Sequence, residues 1–200
     1  MVARIAPGAA PPIAAVAAAR RIGYPVALKA SSRDLIHKSD AGGVILNLAN
    51  EQVLRAAWEQ IMSRLGPNLE SCLVCRMESA DAEMILGVSH DPEFGPMVLF
   101  GLGGLVAEIV DDVVLTPAPI TPQRALHLLQ TLKLWPLLAG ARGRPQLDTN
   151  ALCDMISRLS WLAHDLRDSL LELDLNPVMV KRRGQGAVAV DARASLRLNS

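Results

Sequence analysis

An α/β chain of the α+β kind, divided into two lobes, is predicted by three features of the 200-residue sequence. Strand-like apolar runs alternate with helix-like segments up to about residue 78, and four short apolar runs between 83 and 115 suggest an antiparallel sheet. Two capped helices then precede a closing hairpin, and 50% hydrophobic content suffices for one substantial core or two small ones. The expected divisions are a loop-like segment 1–11, a small lobe 12–78 and a larger lobe 79–197.

Residues 1–10 are small and loop-like. Pro12 suits the first turn of a helix to about Arg21, which Gly23 closes. Tyr24–Ala30 reads as a strand, 31–43 as a polar, glycine-ended loop, and Val44–Leu48 as a second strand. Asn50 caps a helix to about Leu65, stopped by Gly66-Pro67, and Cys72–Met77 is the next strand. Strands follow at 83–88, 97–100, 106–110 and 113–115. Thr121 caps a helix to about Lys133, 142–145 is a loop, and Asp148 caps a helix to about Asp165.

Twenty basic and twenty acidic residues cancel, and aromatics make up only 3%, so neither a field nor a stacking surface for nucleic acid is present. No apolar run reaches the roughly 20 residues of a membrane span. Three cysteines make no disulfide framework, and Cys72 and Cys75, three apart on a strand, face opposite ways, which suits a reducing, cytoplasmic setting.

The chemistry-bearing residues fall in two places. Lys29 ends an apolar strand, where an ammonium either reaches solvent or meets an anion. Eight residues on, His37-Lys38-Ser39-Asp40-Ala41-Gly42-Gly43 combines an imidazole with paired glycines whose amides can converge on a phosphate, without Walker spacing. In the second place, Leu171–Asn176 alternates strictly, so Glu172, Asp174 and Asn176 share one strand face. If the following hairpin sets Asp191 opposite Asn176 or Val178, Asp191 joins that face. Carboxylate and amide oxygens suit a hard cation such as magnesium, although the alternation alone also fits a solvated strand. Gly101-Leu-Gly-Gly104 fails the dinucleotide-fold spacing, and a Rossmann fold is rejected.

Taken together, GYPVALK at 23–29, HKSDAGGV at 37–44, the run 83–113, LLAGARGRPQLD at 137–148 and LELDLNPVMV with Val190-Asp191 resemble the ATP-grasp domain of ADP-forming acyl-CoA synthetases, relatives of the succinyl-CoA synthetase beta subunit. The resemblance implies an ATP-grasp fold clamping ATP between two lobes. It places Lys29, Gly42 and Gly43 on the phosphates, Cys75, Met77 and Glu78 at the adenine hinge, and Glu83 on the ribose. It also implies that Asp174, Asn176 and Asp191 hold Mg2+ and that His37 relays a phosphoryl group. Coenzyme A binding and ligase domains, on the same or a partner chain, are implied as partners, and a sheet edge left by a missing first strand could be covered by a partner or a second copy. Thr116 and Cys75 stand where the family commonly has an arginine and a glutamate or glutamine. The competing reading is a ligand-sensing module of the type fused to protein acetyltransferases.

Overall fold

The computed structural model describes residues 1–6, 11–31, 42–66, 69–104 and 112–197. The expected strand 106–110 lies outside these residues. The chain divides into two compact units, Met1–Met77 and Glu78–Ser200.

In the first unit, β1 (Val2–Ile5), β2 (Val26–Ser31), β3 (Val44–Leu48) and β4 (Ser71–Arg76) form an antiparallel sheet in the order β1-β4-β2-β3. Helices α1 (Pro11–Ile22) and α2 (Glu51–Leu65) share a core with it. Strand alternation sends Val26, Leu28, Ala30, Cys72 and Val74 into that core, where they meet Ala15, Ala18 and Ala19 of α1 and Leu54, Trp58 and Ile61 of α2. Asn50 caps α2 by accepting from the Val53 N–H at 3.1 Å. The N-terminal segment is not the loop expected for 1–11: Val2–Ile5 pairs with β4, and Ala3 and Ile5 pack on the core. A four-residue strand made by pairing across some 70 positions leaves little local signal.

In the second unit, β5 (Ala82–Asp91), β6 (Gly95–Leu102), β7 (Val113–Pro117), β8 (Leu170–Val180), β9 (Ala187–Ala189) and β10 (Ala192–Leu196) form a sheet ordered β10-β8-β5-β6-β7, with β9 also on β8. Helices α3 (Pro122–Leu129), α4 (Trp135–Ala139) and α5 (Thr149–Asp165) share its core, which holds Met84, Leu86, Val98, Phe100, Leu152 and Ile156. The helix expected to reach Lys133 stops at Leu129, because the Lys133 and Leu134 amides donate to the buried Asp112 carboxylate, at 2.9 and 3.0 Å. Two buried serines tie the approach to α3 onto α5: Ser157 Oγ donates to Ile120 O at 2.9 Å and Ile120 N donates to Ser160 Oγ at 3.0 Å. Strand β10 leaves little local signal, since Ala192–Leu196 is short, mixed in polarity and mostly exposed, and takes its form from its ladder to β8.

Strand β8 contains the irregularity that matters most. Met84 opposes Val178 while Leu86 opposes Leu175, so Ile85 alone faces both Asn176 and Pro177. This is a β-bulge, and the extra residue re-phases the strand. Before it, Leu173 and Leu175 turn to the core and Glu172, Asp174 and Asn176 are exposed; after it, Val178 and Val180 are fully buried. Even-numbered positions thus serve solvent on one side of the bulge and the core on the other.

The turn beyond β8 is fastened by Asp148. Its carboxylate accepts from Ala151 N at 3.2 Å, capping α5, and from Gly186 N at 2.8 Å. Burial alone would raise this carboxyl, but donation from the Gly186, Ala151 and Gly184 amides and the Arg183 charge together hold it below its ordinary 3.8. Because the folded value is depressed, the stabilisation is fully present above the unfolded value and is lost as pH falls through the folded one. Asp148→Ala should therefore cost about 2 kcal/mol at pH 7 in urea unfolding. The gap to the parent protein should close as the pH is taken below 3.8, and equal stabilities at pH 7 would refute the fastening role.

Candidate functional site

On the first unit, Lys29 opposes Val44 of β3 and Leu73 of β4, while Ala27 opposes Cys75. Directly opposed residues share a face, so Lys29 and Cys75 both lie on the sheet face turned away from α1 and α2. Lys29 is only 8% exposed, which fits neither a solvated ammonium nor an apolar core position. Gly43 is its neighbour through the backbone, its carbonyl accepting from Ala30 N at 2.6 Å. Gly42, at φ +68°, has a left-handed backbone that disfavours any side chain, and the flexible Arg64 guanidinium lies beside it. Met77 follows β4 and donates its N–H to Pro25 O at 3.4 Å. His37 lies outside the described residues.

On the second unit, Glu78 forms a half-buried ion pair with Lys181 at 2.6 Å, a partner the sequence reading missed although Lys181 directly follows the Val178–Val180 run. Glu83 is exposed on β5, opposite Met179, with its carboxylate 3.2 Å from where a Cβ on Gly104 would be. Glu83 and Asp174 share the sheet face away from the helices, but Asp174 lies farther along, opposite Gly87. The glycines of the rejected dinucleotide motif serve close strand packing: a Cβ on Gly101 would stand 2.5 Å from Asp112 O and one on Gly103 3.1 Å from the Met84 carbonyl carbon. Thr116 is buried opposite Val98, on the core side.

The hairpin register sets the acidic cluster. Ala192 opposes Leu175 on one side and Ala189 opposes Val178 on the other, and counting inward from either brings Asp191 opposite Asn176. Asp174 and Asn176 are exposed, and Asp191 is half-buried with its Oδ1 accepting from Ala192 N at 3.1 Å. Burial raises the Asp174 carboxyl above its ordinary 3.8, the charges of Glu172 and Asp191 raise it further, and Arg193 opposes them. Among the described residues no three histidine, cysteine or acidic side chains gather as a metal site. A cation here would therefore be held by two carboxylates, one amide oxygen and oxygens of its own ligands, the donor set of a magnesium ion that keeps waters or phosphate in its shell. The re-phasing bulge lies at Asn176-Pro177 itself.

A lysine sunk in one sheet, a glycine pair beside it and an oxygen-donor hairpin on a second sheet are the parts of an ATP-grasp fold. The chain belongs to the ATP-grasp family, whose ATP-grasp domain model matches residues 6–196. It is 44% identical over 184 residues to the beta subunit of acetate–CoA ligase [ADP-forming] II of Pyrococcus furiosus, covering 90% of this chain and 78% of that protein. The crystal structure of a Pyrococcus horikoshii protein superposes with a TM-score of 0.91 at 40% identity, covering all of this chain and 84% of that one. An acetyl-coenzyme A synthetase of Candidatus Korarchaeum cryptofilum, in complex with coenzyme A and Mg-AMPPCP and with its phosphohistidine segment pointing towards the nucleotide-binding site, gives 0.80 at 38% identity over 92% of this chain and 81% of that one.

The raised Asp174 carboxyl makes the ionised form a cost to folding: the stabilising contribution exists at low pH and is lost as pH rises through the folded value. Because solvent screens most of this effect at the exposed Asp174, Asp174→Asn should raise the melting temperature of the metal-free protein at pH 7 only slightly, and the gain should vanish in acid. Thiol labelling gives a second check. Burial pushes the Cys72 thiol to about 12 and, with the Asp154 charge, Cys153 to about 11, whereas Cys75 is only partly buried. Under native conditions at pH 8, a maleimide should modify Cys75 at least about tenfold faster than the other two.

Proposed function

We propose that this chain is the nucleotide-binding part of an ADP-forming acyl-CoA synthetase and uses magnesium ATP for phosphoryl transfer in acyl-CoA formation. The correspondence with an acetate–CoA ligase beta subunit over 78% of that protein's length carries the reading. The Korarchaeum relative, in complex with Mg-AMPPCP and with a phosphohistidine segment near its nucleotide site, supports the same chemistry.

In this reading Lys29 and the Gly42-Gly43 amides bind phosphate oxygens, and the burial of Lys29 supplies the reason: an ammonium withdrawn from water gains most from an anion. Cys75, Met77 and Glu78 line the adenine, Glu83 accepts from the ribose, and His37 passes the phosphoryl group on. Asp174, Asn176 and Asp191 would hold magnesium, which would supply positive charge to offset that of the phosphoryl group. In this reading the Glu78–Lys181 pair would offer one acceptor and one donor to the purine edge. The coenzyme A and ligase functions belong to partner domains or a partner subunit, in the cytoplasm.

The test is ADP release by the complete enzyme, with its partner, in the presence of carboxylic acids and coenzyme A. Acid-dependent release is expected, with Lys29→Ala lowering kcat/KM for ATP at least about 100-fold. Binding of ATP without release would select the sensing module instead.

A further inference from the structure

We propose that Arg193 is a phosphate-binding residue of the nucleotide site, supplied by the same hairpin that supplies the metal ligands. The inference rests on the magnesium-nucleotide reading above and deepens it.

The ladder between β8 and β10 sets Arg193 directly opposite Asp174, so its side chain leaves the sheet on the face that carries Glu172, Asp174 and Asn176. Asp191, two residues earlier, stands opposite Asn176 on that face by the same register. Two residues along a strand span about 7 Å, within the reach of an arginine side chain, so a guanidinium at 193 can meet oxygens bound to a cation at 191. Its charge is felt at Asp174. Yet Arg193 is exposed and makes no ion pair with any described residue, even though three carboxylates occupy its surroundings.

Two cations that follow β8 are engaged within the fold. Lys181 pairs with Glu78 at 2.6 Å, and Arg182 stands 3.5 Å from Asp81. An arginine that sits among acids and bonds to none of them keeps its planar fork of donors for another acceptor, and a phosphate group matches that fork in two parallel hydrogen bonds. Charge points the same way. A divalent cation cancels Asp174 and Asp191 but leaves the polyphosphate it carries anionic, and Arg193 is a positive group that this face offers to that excess.

The experiment compares the parent protein, Arg193→Ala, Arg193→Lys and Asp174→Asn, each with its partner subunit or domains in place. Two constants are measured: the Kd for Mg-AMPPCP by calorimetry and the Kd for Mn2+ alone by electron paramagnetic resonance. For Arg193→Ala, nucleotide binding should weaken about 10- to 100-fold while Mn2+ binding holds or tightens, and Arg193→Lys should recover part of the loss. Unchanged nucleotide affinity in Arg193→Ala overturns the proposal; if Mn2+ alone then binds tighter, the residue is only a counter-charge for the carboxylates. Equal loss of both ligands, with no recovery by lysine, also overturns it, since that marks a structural role. Asp174→Asn separates the two levels: if it leaves Mn2+ and nucleotide binding as in the parent, the metal reading itself fails.

Discussion

The structure of the second unit depends on one extra residue in β8. A strand whose side chains alternate can give one face to a core and one to solvent, but it cannot change which residues do so unless its count is interrupted. The interruption at Asn176-Pro177, where two residues stand against Ile85 alone, lets Leu173 and Leu175 anchor one half and Val178 and Val180 the other. The oxygen donors at 174 and 176 are thereby held on the exposed face by burial of leucines on one side and valines on the other. An uninterrupted β8 would have to expose Val178 and Val180 or bury Asp174 and Asn176, and an unpaired buried carboxylate is the costlier fault.

Around this strand, carboxylates are used to hold backbone in place. Asp112 takes the amides that follow α3 and so ends the turn leading to α4. Asp148 caps α5 and holds the hairpin turn at Gly186, which fixes where the returning strand begins and hence which residue meets Asn176. The acids of the hairpin differ in kind. Burial and the charges of Glu172 and Asp191 raise the Asp174 carboxyl, whereas backbone amides hold the Asp148 carboxyl below its ordinary value.

Much of this was legible in the sequence, because long-period signals survive without tertiary context. Helices with an Asn or Asp cap, the Val44–Leu48 strand and the acidic alternation at 171–176 all carried their own punctuation. Proline inside what reads as a central strand is itself the mark of a bulge, and Pro177 could have announced the change of phase. Other features could not be read locally. Strand β1 and strand β10 take their form from partners distant in the chain, α3 ends where a carboxylate 21 residues away claims an amide, and the Glu78–Lys181 pair spans 103 positions. Arg193 stayed hidden for the same reason: its meaning comes from the residue across the ladder.

The returning strand of the hairpin is also, among the described residues, the outer edge of its sheet. An edge strand can unzip from its single neighbour while the core beneath stays packed. Asp191 and Arg193 ride on or beside that strand, so any ligand they hold is retained only while it stays zipped. The affinity of the hairpin thus contains the free energy of a local fraying equilibrium, and residues along 187–196 that never touch a ligand can still set how long it stays.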